Sequence, residues 1–317
     1  MKYSGIGGQA VIEGMMMKGE DYAVAVRRPD KEIEVKKDTY QSITKKAKIL
    51  QLPFVRGVFR FADSMIIGMR SLTYSASFFE DDEDAEPGKF EQFLDRVFGE
   101  KLESAIMAAV LVISFILAIG IFMLLPLGIA NLFKGVITSD HLMAVLEGVI
   151  RIAIFIIYIK LVSQMEDIRR TFMYHGAEHK CINCVEHGHP LTVKYVRESS
   201  KEHKRCGTSF ILIVMVISIL MFMVIRVDTI WMRILSRIIL VPVIAGISYE
   251  VLQCAGRSNS KFMDLVSRPG MWMQGLTTKE PDDSMIEVAI AATEAVFDWR
   301  EYLTENFPGW EKQLEES

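Results

Sequence analysis

The sequence predicts an α-helical polytopic membrane protein with about four transmembrane helices and a small mixed α/β cytosolic region at the N-terminus. Half of the 317 residues are apolar, and they are unevenly distributed. The first 103 residues carry 16 Lys or Arg and 18 Asp or Glu, whereas Ala105–Ala130 contains 26 residues and no charge. About 20 apolar residues cross the roughly 30 Å hydrocarbon core of a bilayer, so Ala105–Ala130 is the first predicted span. Within it, Pro126 is expected to kink or end the helix.

The second and third predicted spans are Leu142–Val162 and Ser209–Ile225. The second contains two charged residues, Glu147 and Arg151. Their i,i+4 spacing places both side chains on one helix face, where they can neutralise each other. A charged pair of this kind is compatible with a membrane-spanning helix.

The fourth predicted span, Trp231–Leu252, begins with two arginines in its first two turns, Arg233 and Arg237. We expect both to extend toward the membrane surface, because a long side chain can keep its charged end in water. Their presence shortens the uncharged part of the segment. A buried helix of a soluble core is therefore the alternative interpretation.

Lys and Arg in the short connections predict the orientation, because such loops stay in the cytoplasm. The connections Asn131–His141 and Arg226–Ile230 each hold one of these residues, but Ser163–Thr208 holds eight. This long loop, and with it both termini, should be cytoplasmic. The predicted organisation is a cytosolic region at 1–103, a transmembrane bundle at 104–254 that includes the loop 163–208, and a cytosolic tail at 255–317 with one helix.

The N-terminal region reads as short strands followed by a helix. Loose alternation around Gln9–Gly14, Tyr22–Arg28 and Glu32–Lys36 predicts a small sheet or hairpin. Apolar and basic residues at helical spacing over Pro53–Ala76 predict an amphipathic helix that packs on protein. The acidic run Glu80–Glu86 is typical of a solvated linker. The early glycines lack the spacing of a phosphate-binding loop.

Residues able to bind metals cluster in the loop Ser163–Thr208, which holds five of the six histidines and three of the four cysteines. His175, Glu178 and His179 have the H-x-x-E-H spacing that places all three on one face of a helix. In inverted zinc-peptidase motifs, the two imidazoles bind zinc and the glutamate is the base. The alternative is a structural role, in which the histidines bond to backbone or to lipid headgroups.

Other residues are candidates to complete this site. Cys206 and Glu250 are further possible metal ligands, and Arg205, His203 and Tyr249 are possible supporting residues. Glu250 ends an apolar span and needs a partner, either the metal or a cation such as Arg205. A straight second span would carry His175 about 20 Å beyond Val162, so the site requires a bend near 163–167.

The pair Cys181-x-x-Cys184 has the spacing of half a structural zinc site, to which Cys206, His187 or His189 could add ligands. A thioredoxin-like redox pair is disfavoured, because the segment lacks a βαβ setting. Thiols that face the cytosol stay reduced, so no disulfide is expected.

Four separated motifs resemble those of the YqhQ-like family of bacterial membrane proteins, defined by domain of unknown function 1385. They are Gly7–Met17, His175–Lys180, Arg205–Phe210 and Leu276–Pro281, and they occur in the same order across nearly the whole chain. The resemblance implies a bacterial plasma (inner) membrane location. Members of the family are described as predicted metal-dependent enzymes, which points to His175, Glu178 and His179. No established catalytic residue comes with the resemblance.

The expected function is a metal-dependent enzyme that uses a divalent metal such as zinc and has Glu178 as its catalytic residue, with hydrolysis as the candidate reaction. The alternative is a non-enzymatic scaffold or assembly factor that docks partner proteins. Transport is disfavoured, because the spans lack paired, glycine-broken helices. The expected partners are the lipid bilayer, other membrane proteins and further copies of the chain. Nucleic acid is not expected, because no basic stripe is interleaved with aromatic residues.

Overall fold

The computed structural model describes residues 2–79, 102–225, 229–258 and 260–314. The predicted acidic linker therefore lies outside the described residues. The four strands are Gly7–Val11 (β1), Gly14–Lys18 (β2), Tyr22–Arg27 (β3) and Ile33–Asp38 (β4). The longer helices are Val55–Ala76 (α1), Leu102–Ile119 (α2), Asp140–Val162 (α4), Glu166–Glu186 (α5), Gly207–Val224 (α7), Ile230–Arg257 (α8) and Lys261–Thr277 (α9). The shorter ones are Leu125–Asn131 (α3), Val193–Glu198 (α6), Asp283–Glu294 (α10) and Trp299–Asn306 (α11).

The four strands form one antiparallel sheet in the order β1-β2-β3-β4. Side chains of neighbouring residues point to opposite faces, as the pleat of a strand requires. Met15 and Met17 enter one apolar cluster and Met16 enters another. Both faces of the sheet are covered, so the central strands are buried on both sides. The predicted small sheet is confirmed, with the methionine run as an additional strand.

Helix α1 covers one face of the sheet, and α5 and α10 cover the other. Ile67 of α1 packs with Met16 and Val24. On the opposite face, Met15 and Met17 pack with residues of α5 and α10, such as Tyr174 and Met285. Segments from the start, middle and end of the sequence therefore form one three-layer unit, and the first strands complete their core only with the last helices.

Four helical segments are long and apolar enough to cross a membrane, which supports the predicted number of spans. They are Val112–Asn131, Asp140–Val162, Gly207–Val224 and Leu235–Gly256. The first passes through a π-helical turn, Gly120–Leu124, before Pro126. Such a turn relieves the missing hydrogen bond at a proline, so Pro126 does not end the helix.

Three charged residues of the spans, Glu147, Arg151 and Arg237, meet inside this bundle. Glu147 pairs with Arg151, as the i,i+4 spacing predicts, with an Oε1–Nη2 distance of 2.6 Å. It also pairs with Arg237, with an Oε2–Nη2 distance of 2.7 Å. Arg237 is buried, so the expectation that it extends to the membrane surface was wrong. Arg237 instead has an ionic partner within the bundle, the second carboxylate oxygen of Glu147.

Two of the polar segments differ from expectation. The stretch 163–208 is largely helical, because α5 and α6 lie within it. The bend that the site requires is present, since residues 163–165 separate α4 from α5. The region after residue 254 contains three helices, α9, α10 and α11, where one helix was expected. Asp282 and Asp298 cap the starts of α10 and α11, which explains two of these helix boundaries.

Candidate metal centre

Helix α5 carries the H-x-x-E-H motif and places its two histidines side by side. The ring centroids of His175 and His179 are 4.5 Å apart, as expected for residues one turn apart. Gly176, between them, lies against the backbone of Lys279. A Cβ atom at Gly176 would be 2.0 Å from the Lys279 carbonyl oxygen. Glycine in the motif therefore allows the segment that follows α9 to lie directly on α5.

The third member of the cluster is Cys206, which caps the N-terminus of α7. Its Sγ accepts a hydrogen bond from the Thr208 amide and lies 3.3 Å from Nε2 of His175. One ligand atom from each of His175, His179 and Cys206 lies within 4.8 Å of the other two. His179 is 1% exposed and Cys206 is 4% exposed. The fold thus brings two imidazoles of α5 together with a thiol at the start of α7.

Hydrogen bonds to backbone carbonyls fix the tautomer of both histidines. Nδ1 of His175 lies 2.9 Å from the Thr277 oxygen, and Nδ1 of His179 lies 2.6 Å from the Lys201 oxygen. A carbonyl oxygen only accepts, so each Nδ1 carries a proton and each Nε2 keeps its lone pair. Histidines that bind metals are oriented in this way by their outer hydrogen bonds.

Burial favours neutral rings in this region. Desolvation lowers the pKa of His179, although its contact with Cys206 opposes the shift. Burial also lowers the pKa of His203, whose ring centroid is 5.8 Å from that of His179. A neutral imidazole is the form that binds a metal ion.

Glu178 lies on the side of α5 that faces strand β1. Its Oε1 accepts a hydrogen bond of 2.8 Å from the Gly8 amide. Burial raises the pKa of its carboxyl group, while His175 and the Gly8 hydrogen bond oppose the shift. A buried carboxyl group with a raised pKa is suited to accept a proton. Glu178 is not one of the three residues whose ligand atoms converge.

The donor set fits zinc. Zinc binds imidazole nitrogen at about 2.0–2.1 Å and thiolate sulfur at about 2.3 Å, so ligands of one tetrahedral ion lie roughly 3.3–3.7 Å apart. The distance of 3.3 Å between His175 Nε2 and Cys206 Sγ lies at the lower end of this range. A zinc ion held by these three residues would keep one coordination position open, as in catalytic zinc sites.

Glu250, a predicted ligand, lies elsewhere and binds Arg56. The Oε2–Nη2 distance is 2.5 Å and the Oε1–Nε distance is 2.7 Å. Next to it, the Tyr249 hydroxyl accepts a hydrogen bond of 2.9 Å from Arg60. Glu250 and Tyr249 therefore hold α1 against α8. The expected pairing of Glu250 with Arg205 is also not formed.

Arg205 and His203, the predicted supporting residues, converge on Glu186, a residue that the sequence did not single out. Both contact Glu186, which is fully buried at the end of α5. Burial raises the pKa of Glu186, but bonds from His203 and Ser4 and the charge of Arg205 outweigh it and lower the pKa to about 2. Glu186 follows His179 by two helical turns, and this spacing is the signal that could have identified it.

The two remaining cysteines of the segment are core residues. Cys181 and Cys184 are buried in the apolar cluster between α5, α10 and the sheet. Burial raises the pKa of both thiols, that of Cys184 to about 12. The Cys184 thiol donates to the Pro190 carbonyl. The structural zinc site considered for this pair is therefore not formed, since neither thiol belongs to the cluster of His175 and its partners.

The N-terminal motif completes the surroundings of α5. Beyond the contact between Gly8 and Glu178, Glu13 forms a bidentate ion pair with Arg170. From the other side of α5, Lys180 binds Glu280 at 3.0 Å. All four motifs of the sequence therefore converge on this helix.

Comparison with known proteins finds matches over most of the chain. The family model described as "Protein of unknown function (DUF1385)" matches residues 52–299. The chain is 35% identical over 286 residues to the protein named "Uncharacterized protein YqhQ" of Bacillus subtilis (strain 168), covering 90% of this chain and 89% of that protein. The search of solved structures finds no match. The match over most of its length shows that this chain belongs to the DUF1385 family of YqhQ-like proteins.

Proposed function

We propose that this chain is a metal-dependent enzyme of the bacterial plasma membrane, which holds a divalent metal, zinc, at His175, His179 and Cys206. The single observation that carries the proposal is the convergence of one ligand atom from each of the three residues. Both imidazoles are held in the tautomer in which Nδ1 carries the proton and Nε2 has the lone pair that can bind a metal. A histidine with a purely structural role would also form the hydrogen bond from Nδ1 to a backbone carbonyl. Such a role does not require a second histidine and a cysteine near Nε2, and a metal site does.

The proposed reaction class is hydrolysis. A zinc ion held by His175, His179 and Cys206 would supply Lewis acidity for the activation of water. Glu178 is the proposed proton acceptor, because its buried carboxyl group interacts with His175 and its pKa is raised. Gly8 holds the carboxyl group through its amide, so the N-terminal strand positions the proposed base.

The proposed site lies at the membrane boundary on the cytosolic side. Cys206 directly precedes α7, one of the four helices able to span a membrane. The eight basic residues of 163–208 favour the cytoplasm for this end of the helix, and both termini with it. A substrate can therefore approach from the cytosol or along the bilayer surface.

The metal content of the protein tests the proposal. Detergent-purified protein is expected to contain about one zinc per chain, and His175→Ala, His179→Ala and Cys206→Ser are expected to lose it. Glu178→Gln should retain the metal. Cys254→Ser is the matched control, because Cys254 is an exposed thiol outside the cluster.

Replacement of the metal by cobalt adds a direct readout of the thiolate ligand. A sulfur-to-cobalt charge-transfer band should be present in the native protein and in Cys254→Ser, and absent in Cys206→Ser. Equal, substoichiometric metal in the native protein and all variants would end the proposal of a metal-dependent enzyme.

Docking of partner proteins is the second candidate function, favoured by an exposed apolar row on α1. Phe61, Met65 and Met69 follow one another at i,i+4 spacing and are 46–55% exposed. Contiguous exposed apolar surface marks interaction sites. Replacing the three residues by serine should leave metal content unchanged and abolish co-purification of a partner if α1 docks one.

A further inference from the structure

A second cluster of charged residues lies inside the helical bundle, apart from the candidate metal centre. Glu147 and Arg151 belong to α4 and Arg237 to α8, and the carboxylate of Glu147 binds both guanidinium groups at 2.6 and 2.7 Å. Ser218 of α7 accepts a hydrogen bond of 3.2 Å from Nη1 of Arg151. The ring of Phe222 lies beneath both arginines. Its centroid is 5.8 Å from Cζ of Arg151 and 5.1 Å from Cζ of Arg237. Three helices thus enclose the cluster.

The charges of this cluster do not balance. Arginine keeps its proton in proteins, so two guanidinium groups face one carboxylate and leave one positive charge in excess. Three buried N–H groups have no acceptor among the described residues: Nε of Arg151, and Nε and Nη1 of Arg237. The Arg237 side chain is 7% exposed. A buried cationic donor without an acceptor is costly, most of all in an apolar surrounding.

The cluster is set deep in the apolar segments and far from the metal centre. At 1.5 Å per residue, Glu147 and Arg151 lie about 10 and 16 Å from the start of α4. Ser218 lies about 18 Å along α7 from Cys206. The two sites therefore occupy opposite halves of the bundle, and the residues of one do not contact those of the other.

We infer that this cluster is a binding site for a phosphate-type oxyanion. An anion neutralises the excess charge and accepts from the N–H groups that lack partners. Guanidinium groups are permanently charged and weakly hydrated, and they form charge-assisted hydrogen bonds to phosphate oxygens. The stack on Phe222 and the bond to Ser218 hold the arginines in place. The oxyanion has two possible sources, a phospholipid headgroup and free phosphate.

Binding to the full chain in a neutral detergent tests the inference. One arm titrates inorganic phosphate, and the other compares phosphatidic acid with phosphatidylcholine. The native protein is expected to bind one anion per chain saturably. Binding of phosphatidic acid alone assigns a lipid headgroup, and binding of inorganic phosphate as well assigns the free ion.

Two variants of the cluster should change the affinity in opposite directions. Arg237→Met leaves a neutral Glu147–Arg151 pair and is expected to weaken binding by about tenfold or more. Glu147→Gln removes the competing carboxylate and should strengthen binding by about tenfold. Arg169→Met, which removes an exposed arginine on α5, is the matched control and should change little.

A purely structural role predicts a different pattern, in which both cluster variants are less stable and neither changes anion affinity. That result overturns the inference, as does the absence of saturable binding in both arms. If Arg237→Met fails to fold, Glu147→Gln still decides the question, since weaker or unchanged affinity contradicts a site in which Glu147 competes with the anion.

Discussion

The backbone amide of Gly8 donates a hydrogen bond of 2.8 Å to Oε1 of Glu178, joining the first strand to the helix that carries both histidines. The two segments are 170 residues apart in the sequence. The glycine is required by space as well, because a Cβ atom at residue 8 would lie 2.6 Å from the Met16 oxygen and 3.1 Å from Cδ of Glu178.

Gly8→Ala is therefore expected to lower the free energy of unfolding by about 1–3 kcal/mol, since backbone must move to admit the methyl group. Denaturant unfolding of the detergent-purified protein measures the change. Gly7→Ala is the matched control, because a Cβ atom there meets nothing within 4 Å. Similar losses in both variants would show that the close approach of Met16 and Glu178 is not what restricts residue 8.

Glu250→Gln should leave the metal content unchanged and weaken the attachment of α1 to α8. Its carboxylate binds Arg56, and this hydrogen bond is the main reason why the pKa of the Arg56 guanidinium is raised. We expect a loss of about 1–2 kcal/mol in stability, the size of a charge-assisted pair that is partly exposed. Arg56→Met should lose a similar amount, and the double variant little more. Loss of metal in Glu250→Gln would restore Glu250 as a ligand.

Glu186 should make the protein sensitive to acid. Its pKa in the folded protein is about 2, below the ordinary value of 4.5. A lowered carboxyl pKa contributes stability that is complete above pH 4.5 and is lost as the pH falls toward 2. The contribution is on the order of 3 kcal/mol.

Unfolding measured between pH 3 and pH 6 checks this expectation. The native protein should lose stability below about pH 4.5, where unfolded Glu186 takes up a proton. Glu186→Gln should be less stable at pH 6 and show a smaller loss on acidification. Parallel curves for the two proteins would contradict a special role for Glu186.

The cysteines provide a test of both burial and orientation. Burial raises the pKa of the Cys181 and Cys184 thiols, whereas Cys254 is exposed. Cys254 lies two residues before the end of the candidate span Leu235–Gly256, so a small, membrane-permeable maleimide at pH 7 should modify it rapidly in detergent and the two buried thiols only after unfolding. Mass spectrometry of the labelled protein locates the modification.

The same thiol reports the proposed topology in cells. A reagent that does not cross membranes should fail to label Cys254 in intact cells and label it after permeabilisation. Labelling in intact cells would place this end of α8 outside and reverse the orientation predicted from Lys and Arg.

Periodicity and hydropathy predicted the features that depend on local sequence. The four apolar segments and the i,i+4 pair of Glu147 and Arg151 both follow from spacing along the chain. The strand Gly14–Lys18 did not, because a run of methionines lacks the β-branched and aromatic residues that indicate strands. Its pairing with β1 and β3 makes it a strand.

The partners of individual side chains depend on tertiary structure and were not predictable from spacing. Cys206 and Glu250 were equal candidates as ligands, since each lies at the end of an apolar segment. The packing of α1 on α8 provides Arg56 for Glu250, and the cap of α7 turns Cys206 toward His175. Arg237 likewise has its partner on another helix.

The packing of the first strands on α10 has a consequence for biosynthesis. Met15 and Met17 leave the ribosome early, but their partner Met285 follows about 270 residues later. If the four apolar helices insert into the bilayer as proposed, the methionine face of the sheet stays uncovered throughout that insertion. Assembly of the candidate metal centre, which depends on Lys201, Cys206 and Thr277, is likewise delayed. A chain that stalls between two spans therefore exposes apolar surface to chaperones and proteases and never presents a complete metal site.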